Sequence, residues 1–195
     1  MTKPYEYTYT WTFKIPGDYT VDLPEEVRKI TITCGGAGGG GAELDLPSIK
    51  HSAPGGYGSE VKETFVLPKL PYDVNSITKK YLRVHVGKGG DPAILVQEEE
   101  DHIPFVRKDA EDGGNSSVVV YAFSVPKNST NALDAFTACD SVEAHGGVGA
   151  SLDVHSGCDN GFSIGNNKGA SAGSELYDFY GQPGYVEVQY SVTTL

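Results

Sequence analysis

Positive charge is scarce in this chain. Fifteen lysines and arginines stand against 26 aspartates and glutamates, a formal net charge of −11 over 195 residues. Binding to a phosphate backbone needs clustered Lys and Arg, so no nucleic-acid partner is expected. The excess of carboxylates fits a soluble, self-repelling surface. Long apolar runs are missing too: none approaches the roughly 18 residues of a membrane span, so no membrane insertion is expected. The opening MTKPYEYTYTWTF has no apolar core of an export signal, and no signal peptide is expected. Cysteine is rare. Cys34, Cys139 and Cys158 form no CxxC pair, and an odd number cannot all pair within one chain. The expected state is reduced thiols, buried as small hydrophobes.

What the chain has in quantity is glycine, 25 residues, and tyrosine, 12. The densest stretch is Val27 to Ala42, VRKITITCGGAGGGGA. A strand pattern (Val27, Ile30, Ile32, with Thr31 and Thr33 interleaved) empties into glycine. Flexible linkers are usually Gly/Ser and lie between domains. This run instead sits inside periodic β sequence. Without a Cβ, glycine lets backbones approach closely and also allows φ > 0. Gly35, Gly36, Gly38, Gly39, Gly40 and Gly41 therefore read as structural, packed glycines. Weaker echoes occur at Gly55–Gly58, Gly87–Gly90, Gly146–Gly149 and Gly165–Gly173.

The rest reads as β. Tyr5, Tyr7, Tyr9, Trp11, Phe13 and Ile15 alternate strictly with polar residues, the strongest strand signal present. Pro16-Gly17 turns the chain. Tyr19–Leu23, Val27–Cys34, Glu60–Leu67, Tyr81–Val86, Ser117–Val125 and Tyr185–Val192 follow as strands bounded by Gly or Pro. Seven or eight strands predict one all-β domain over residues 1–195, a jelly-roll-like β-sandwich with packed glycine-rich loops. Asn131–Cys139 is the single helix expected, capped by Ser129 or Thr130. Pro68–Lys80, His102–Gly114 and the acidic run Glu98–Asp101 read as surface loops.

Motifs for chemistry fail their context tests. Gly36 to Gly41 satisfies G-x-G-x-x-G after a strand, but Pro47 follows six residues later and no helix can open to receive a pyrophosphate. No G-x-S-x-G elbow is present. His155, Cys158 and Asp153 lie near one another in a turn-rich loop, where capping of their own backbone outweighs zinc ligation. No Asp-x-Asp-x-Asp-Gly spacing marks a calcium loop. His85 faces opposite to Val84 and Val86 and is expected to point outward. No catalytic residue, metal or cofactor is assigned.

Aromatic residues remain as recognition candidates. The Tyr5–Trp11 stripe suits core or subunit-interface packing, with a sugar-stacking platform as the alternative. Tyr177, Phe179 and Tyr180 in SELYDFYGQPGY have the composition of a recognition loop. Tyr177, Phe179, Tyr180, Tyr7, Tyr9 and Trp11 are the candidate receptor or partner contacts, with Ser171–Gly173 beside the loop.

The blocks FKIPGDYTVDLPEEVRKITITCGGAGGGGA, GGYGSEVKETFVLP, YLRVHVGKGG, GGNSSVVVYA and GQPGYVEVQY occur in that order from Trp11 to Tyr190. Together they resemble a glycine-rich β-domain found in phage tail-fibre, adhesin and other virion surface proteins, and in some animal receptor ectodomains. The resemblance implies a virion location and a non-enzymatic structural or host-attachment role. The implied partners are copies of the chain in a homo-oligomer or other virion proteins, and a host surface glycan or protein. It transfers no catalytic residue. A cellular glycine-rich wall, filament or surface protein is the alternative. A carbohydrate-active or metal-dependent enzyme is a weaker third, because it would need convergent carboxylates or ligands. Family members with long glycine runs bundle them as polyproline-II-type helices. In this chain only Gly35–Gly41 and Gly165–Gly173 have the length expected for that.

Overall fold

Fourteen strands and no helix occur among the described residues of the computed structural model. These residues are 5–46, 49–69, 76–97, 105–127, 138–153, 157–159, 161, 163, 170–174 and 179–194. The strands are β1 (Tyr5–Phe13), β2 (Gly17–Asp22), β3 (Lys29–Gly35), β4 (Ala42–Leu46), β5 (Ile49–Ala53), β6 (Glu60–Val66), β7 (Ser76–Val86), β8 (Ile94–Gln97), β9 (Phe105–Lys108), β10 (Ser116–Pro126), β11 (Ala138–Ala144), β12 (Ser151–Asp153), β13 (Gly157–Asp159) and β14 (Tyr185–Thr194).

Two antiparallel four-stranded sheets, ordered β1-β14-β3-β6 and β11-β10-β7-β2, form a sandwich. Alternation along each strand supplies its core. Ile30, Ile32 and Cys34 of β3 meet Val186 and Val188 of β14 from one sheet. Leu82, Val84 and Val86 of β7 with Val118 and Val120 of β10 come from the other; all are buried. One end is closed by the turn after β2. There Lys80, 2% exposed, donates its ammonium protons to the carbonyls of Glu25 (2.8 Å) and Val27 (2.7 Å). A buried cation is tolerated because it is hydrogen-bonded.

The other end is not a loop region. Six strands run on into, or emerge from, extended segments that share one hydrogen-bonded bundle. At its centre is 36–41, the continuation of β3. Gly36 and Gly39 donate to the carbonyls of Ser59 and Gly56, Ala37 and Gly40 to Gly114 and Glu111, and Gly38 and Gly41 to Gln182 and Phe179, at 2.8–3.0 Å. The same six residues accept in pairs three apart: Ala170 and Gly173 donate to Gly36 and Gly39, Gly147 and Ala150 to Ala37 and Gly40, and Gly90 and Ala93 to Gly38 and Gly41. A repeat of three with no bonds inside the segment is the geometry of polyproline II. Donors and acceptors alternate among the six neighbours. Those that accept from the centre run antiparallel to it, and those that donate run parallel.

The neighbours also bond one another into a closed ring. Segment 54–59 donates to 145–150 and 170–174. Segment 110–115 donates to 145–150 and 87–91. Segment 179–184 donates to 87–90 and 170–174. Amides that point away from the ring are met by side chains: Asp112 Oδ1 accepts from Gly149 N (2.8 Å), Asn115 Oδ1 from Gly146 N (3.1 Å), Ser59 Oγ from His145 N (2.8 Å) and Ser163 Oγ from Tyr57 N (3.0 Å). Beyond the bundle lie the hairpins β4–β5, β8–β9 and β12–β13, which touch one another.

Several expectations are revised by this architecture. Six segments surround the central run, so the bundle is not confined to the two longest glycine stretches. Segments with only one to three glycines suffice because glycine is obligatory only where a residue faces another backbone. The glycines serve close approach rather than left-handed conformation: Gly17 is the one described glycine with positive φ (146°). Ala138 and Cys139, expected in a helix, are in β11, where pairing with β10 overrides local propensity; residues 131–137 lie outside the described residues. Residues 105–108 and 76–80, expected in loops, are strand because β9 pairs with β8 and β7 with β10. Glu98–Asp101 lies outside the described residues.

The bundle sets the stability of the fold. A Cβ at Gly38 would lie on the Ser171 carbonyl, and one at Gly39 on the Val148 carbonyl, whose carbon would be 2.5 Å away. Gly39→Ala is expected to cost about 3 kcal/mol or more, lowering Tm by about 6–12 °C for a domain of this size. Val66→Ser, at an 81%-exposed position, should change stability by no more than about 0.5 kcal/mol. Thermal melts of both variants decide this. Equal melting would mean that the central run is solvated.

Candidate interaction surface

Strand β1 lies at the edge of its sheet, paired on one side with β14 in the register Tyr5↔Thr194, Tyr9↔Tyr190 and Phe13↔Val186. Alternation puts Tyr5, Tyr7, Tyr9, Trp11 and Phe13 on the inner face. Burial changes along that face. Phe13 packs on Tyr19 of β2, ring centroids 5.1 Å apart, and Trp11 meets the edge of buried Tyr190 at 4.8 Å. Both are half-buried at the margin of the core. Tyr9 stacks on Tyr190 at 5.3 Å yet stays 48% exposed, and Tyr7 and Tyr5 are 52% and 68% exposed. The stripe is thus core at one end and surface at the other. Ile15 does not continue it: the strand ends at Phe13, and Ile15 is exposed.

The opposite face of the same strands is polar. A shallow groove of about 250 Å³ is lined by Glu6, Thr8, Lys29, Thr31, Gln189 and Ser191. Thr8 and Ser191 hydroxyls are 3.3 Å apart, and those of Thr31 and Thr64 3.0 Å. A second aromatic group, Tyr81 stacked on Tyr121 (4.6 Å) beside Phe123, lies on the other sheet; Tyr81 and Phe123 are buried.

The remaining candidates are scattered. Tyr180 is exposed, but Phe179 is part of the bundle: it has φ 64°, donates to Ser174 O and accepts from Gly41 N. Its ring occupies the space a Cβ on Gly41 would need. Tyr177 and His155 lie outside the described residues. The structure thus brings Tyr7, Tyr9 and Trp11 together on β1 and places Phe179 and Tyr180 at the bundle. Ala172 and Gly173 are buried in its ring, and Ser171 gives its carbonyl to Gln182 N. His85 points outward, as expected, with its Nδ1 2.7 Å from Asp18. Among the described residues, no three His, Cys, Asp or Glu side chains are grouped as metal ligands. The G-x-G-x-x-G amides all donate to protein carbonyls, so they form no phosphate cradle. Sequence reasoning missed Asp112, Asn115 and Ser59 as caps of the ring. The Gly113-Gly114 doublet beside Asp112 and Asn115 was the available signal.

The family model of the glycine-rich domain matches residues 12–191, and the chain belongs to that family. No curated protein matches the chain.

Buried groups set the response to pH. Cys34 is fully buried, and burial, aided by the charge of Glu63, pushes its thiol up from 9.0 to about 12. Burial likewise raises Tyr185, whose hydroxyl also donates to Glu60, and Tyr190. Each of these binds its proton more tightly folded than unfolded. Their contribution is complete below the unfolded pKa and is lost above it. Lys80 is shifted down by burial and by Arg28, so the cost of holding it charged in the fold is relieved as pH rises toward its usual 10.5, which opposes the loss. With three groups against one, stability should hold to about pH 9 and fall above it. Cys34→Ala should move the onset toward pH 10, where the tyrosines begin to count. Denaturation at a series of pH values tests this; an onset unchanged by Cys34→Ala would refute the assignment.

Proposed function

We propose that this domain is a non-enzymatic structural or host-attachment component of a virus or phage particle, of the tail-fibre or adhesin kind. The observation that carries the reading is the bundle. Six backbone segments bonded in a closed ring around a seventh make a stiff spacer between a sandwich and a set of hairpins. A spacer whose amides and carbonyls satisfy one another needs no large apolar core, and it resists local unfolding. That suits a surface domain working outside the cell. The sandwich end would face the particle, and the hairpin end, with Tyr180 near it, would face the host. The acidic surface disfavours non-specific clumping of such domains. Partners on this reading are copies of the chain, other virion proteins and a host surface glycan or protein.

Antibodies against the folded domain should label intact particles at a fixed position by electron microscopy. If the role is attachment, the purified domain should also reduce adsorption of particles to host cells several-fold. Labelling of the cell envelope and none of particles would replace this reading with that of a cellular wall, filament or surface protein.

A further inference from the structure

The four edge strands of the sandwich are not equally protected. An unpaired edge invites pairing with another chain, and proteins blunt such edges with charge, proline, bulges or shortness. β6 carries Glu60, Lys62 and Glu63, and β11 carries Asp140 and Glu143, with a register break in its pairing to β10. These two edges also lie against each other. β2 has only six residues, includes Asp18 and Asp22, and lies between Pro16 and Pro24. β1 has nine residues, no proline and one charge, Glu6. Of the four it is the longest and carries the fewest charges.

We propose that β1 pairs antiparallel with β1 of a second copy of this chain, about a two-fold axis at Tyr9, to make one continuous eight-stranded sheet. Three features of the strand select a second copy. Centring on Tyr9 pairs all nine residues, from Tyr5 opposite Phe13 to Phe13 opposite Tyr5. It keeps the aromatic faces on the same side, because directly opposite residues in an antiparallel pair share a face. The strand is also polarised. Its exposed tyrosines come first and its half-buried Trp11 and Phe13 come last. Antiparallel pairing sets Tyr7 beside Trp11 and Tyr5 beside Phe13 of the other copy. Each copy's uncovered rings then shield the open flank of the other's core. Finally, the one charge meets no like charge, since Glu6 falls opposite Thr12. A chain of net charge −11 has few strips where two copies can meet without opposing carboxylates.

Sedimentation equilibrium gives the test. The wild type should reach twice 20.8 kDa as concentration rises. Tyr9→Lys and Tyr9→Glu should each remain monomeric, because like charges meet at the axis. Mixing the two variants in equal amounts should restore the dimer. Unchanged β-type circular dichroism in each variant, and the recovery on mixing, separate loss of the contact from unfolding. Oxidative cross-linking gives a second readout if either charged variant fails to fold. Tyr9→Cys should cross-link to a dimer beyond the wild-type background, since opposite Cα atoms are about 4.5–5.5 Å apart and disulfides span about 4.4–6.8 Å. Tyr5→Cys should not, because its counterpart lies at the far end of the strand pair. A wild type that stays monomeric at every concentration would overturn the proposal. So would a dimer that survives both charged variants, or equal cross-linking at positions 5 and 9.

Discussion

The missing Cβ of the central run is the constraint on which the rest depends. Each peptide of 36–41 gives its amide to one neighbour and its carbonyl to another, so six backbones must come within hydrogen-bonding distance of one segment. A side chain at Gly36 would lie on the His145 carbonyl, and one at Gly40 on the Asp91 carbonyl. The bundle therefore forms from glycine, with alanine only where a methyl has space, as at fully buried Ala37. Hydrogen bonds stand here in place of the large side chains that build other cores.

This explains how sandwich and bundle are joined. β3 sits inside its sheet between β14 and β6, and its continuation becomes the bundle centre. Strands from both sheets feed the ring: β6 and β14 from one, β7, β10 and β11 from the other. The junction is held by serines. Ser116 Oγ accepts from Gly87 N at 3.1 Å, and Ser59 bridges to His145. Tyr185 lies across Gly35, its partner in register, and reaches Glu60 on the next strand. The two halves thus share a hydrogen-bonded junction as well as continuous strands.

The aromatic edge shows the same economy on the outer side. Along β1 the pattern of side chains is uniform, but the cover is not, because β2 reaches Phe13 through Tyr19. Tyr9 is the point of change. One face of its ring is stacked on Tyr190, and about half of its surface is left to solvent. Nothing in the alternation itself distinguishes Tyr7 from Phe13; the difference is what stands opposite.

Period-2 alternation made β1, β2 and β3 legible, because a strand with one face in a core must alternate, and richness in Val, Tyr or Phe between Gly or Pro boundaries made β6, the second half of β7, β10 and β14 legible. Lack of alternation hid β9 and β11, whose strand state comes from pairing with β8 and β10 rather than from their own residues. The sequence by itself determined that the chain is β-rich, acidic and built around packed glycine, since composition and spacing act residue by residue. Only the tertiary structure decided that six short segments close into one ring around a seventh, and which aromatic residues of β1 are covered. Both depend on what lies across from a residue, and the separation along the chain is as large as that between Gly38 and Gln182.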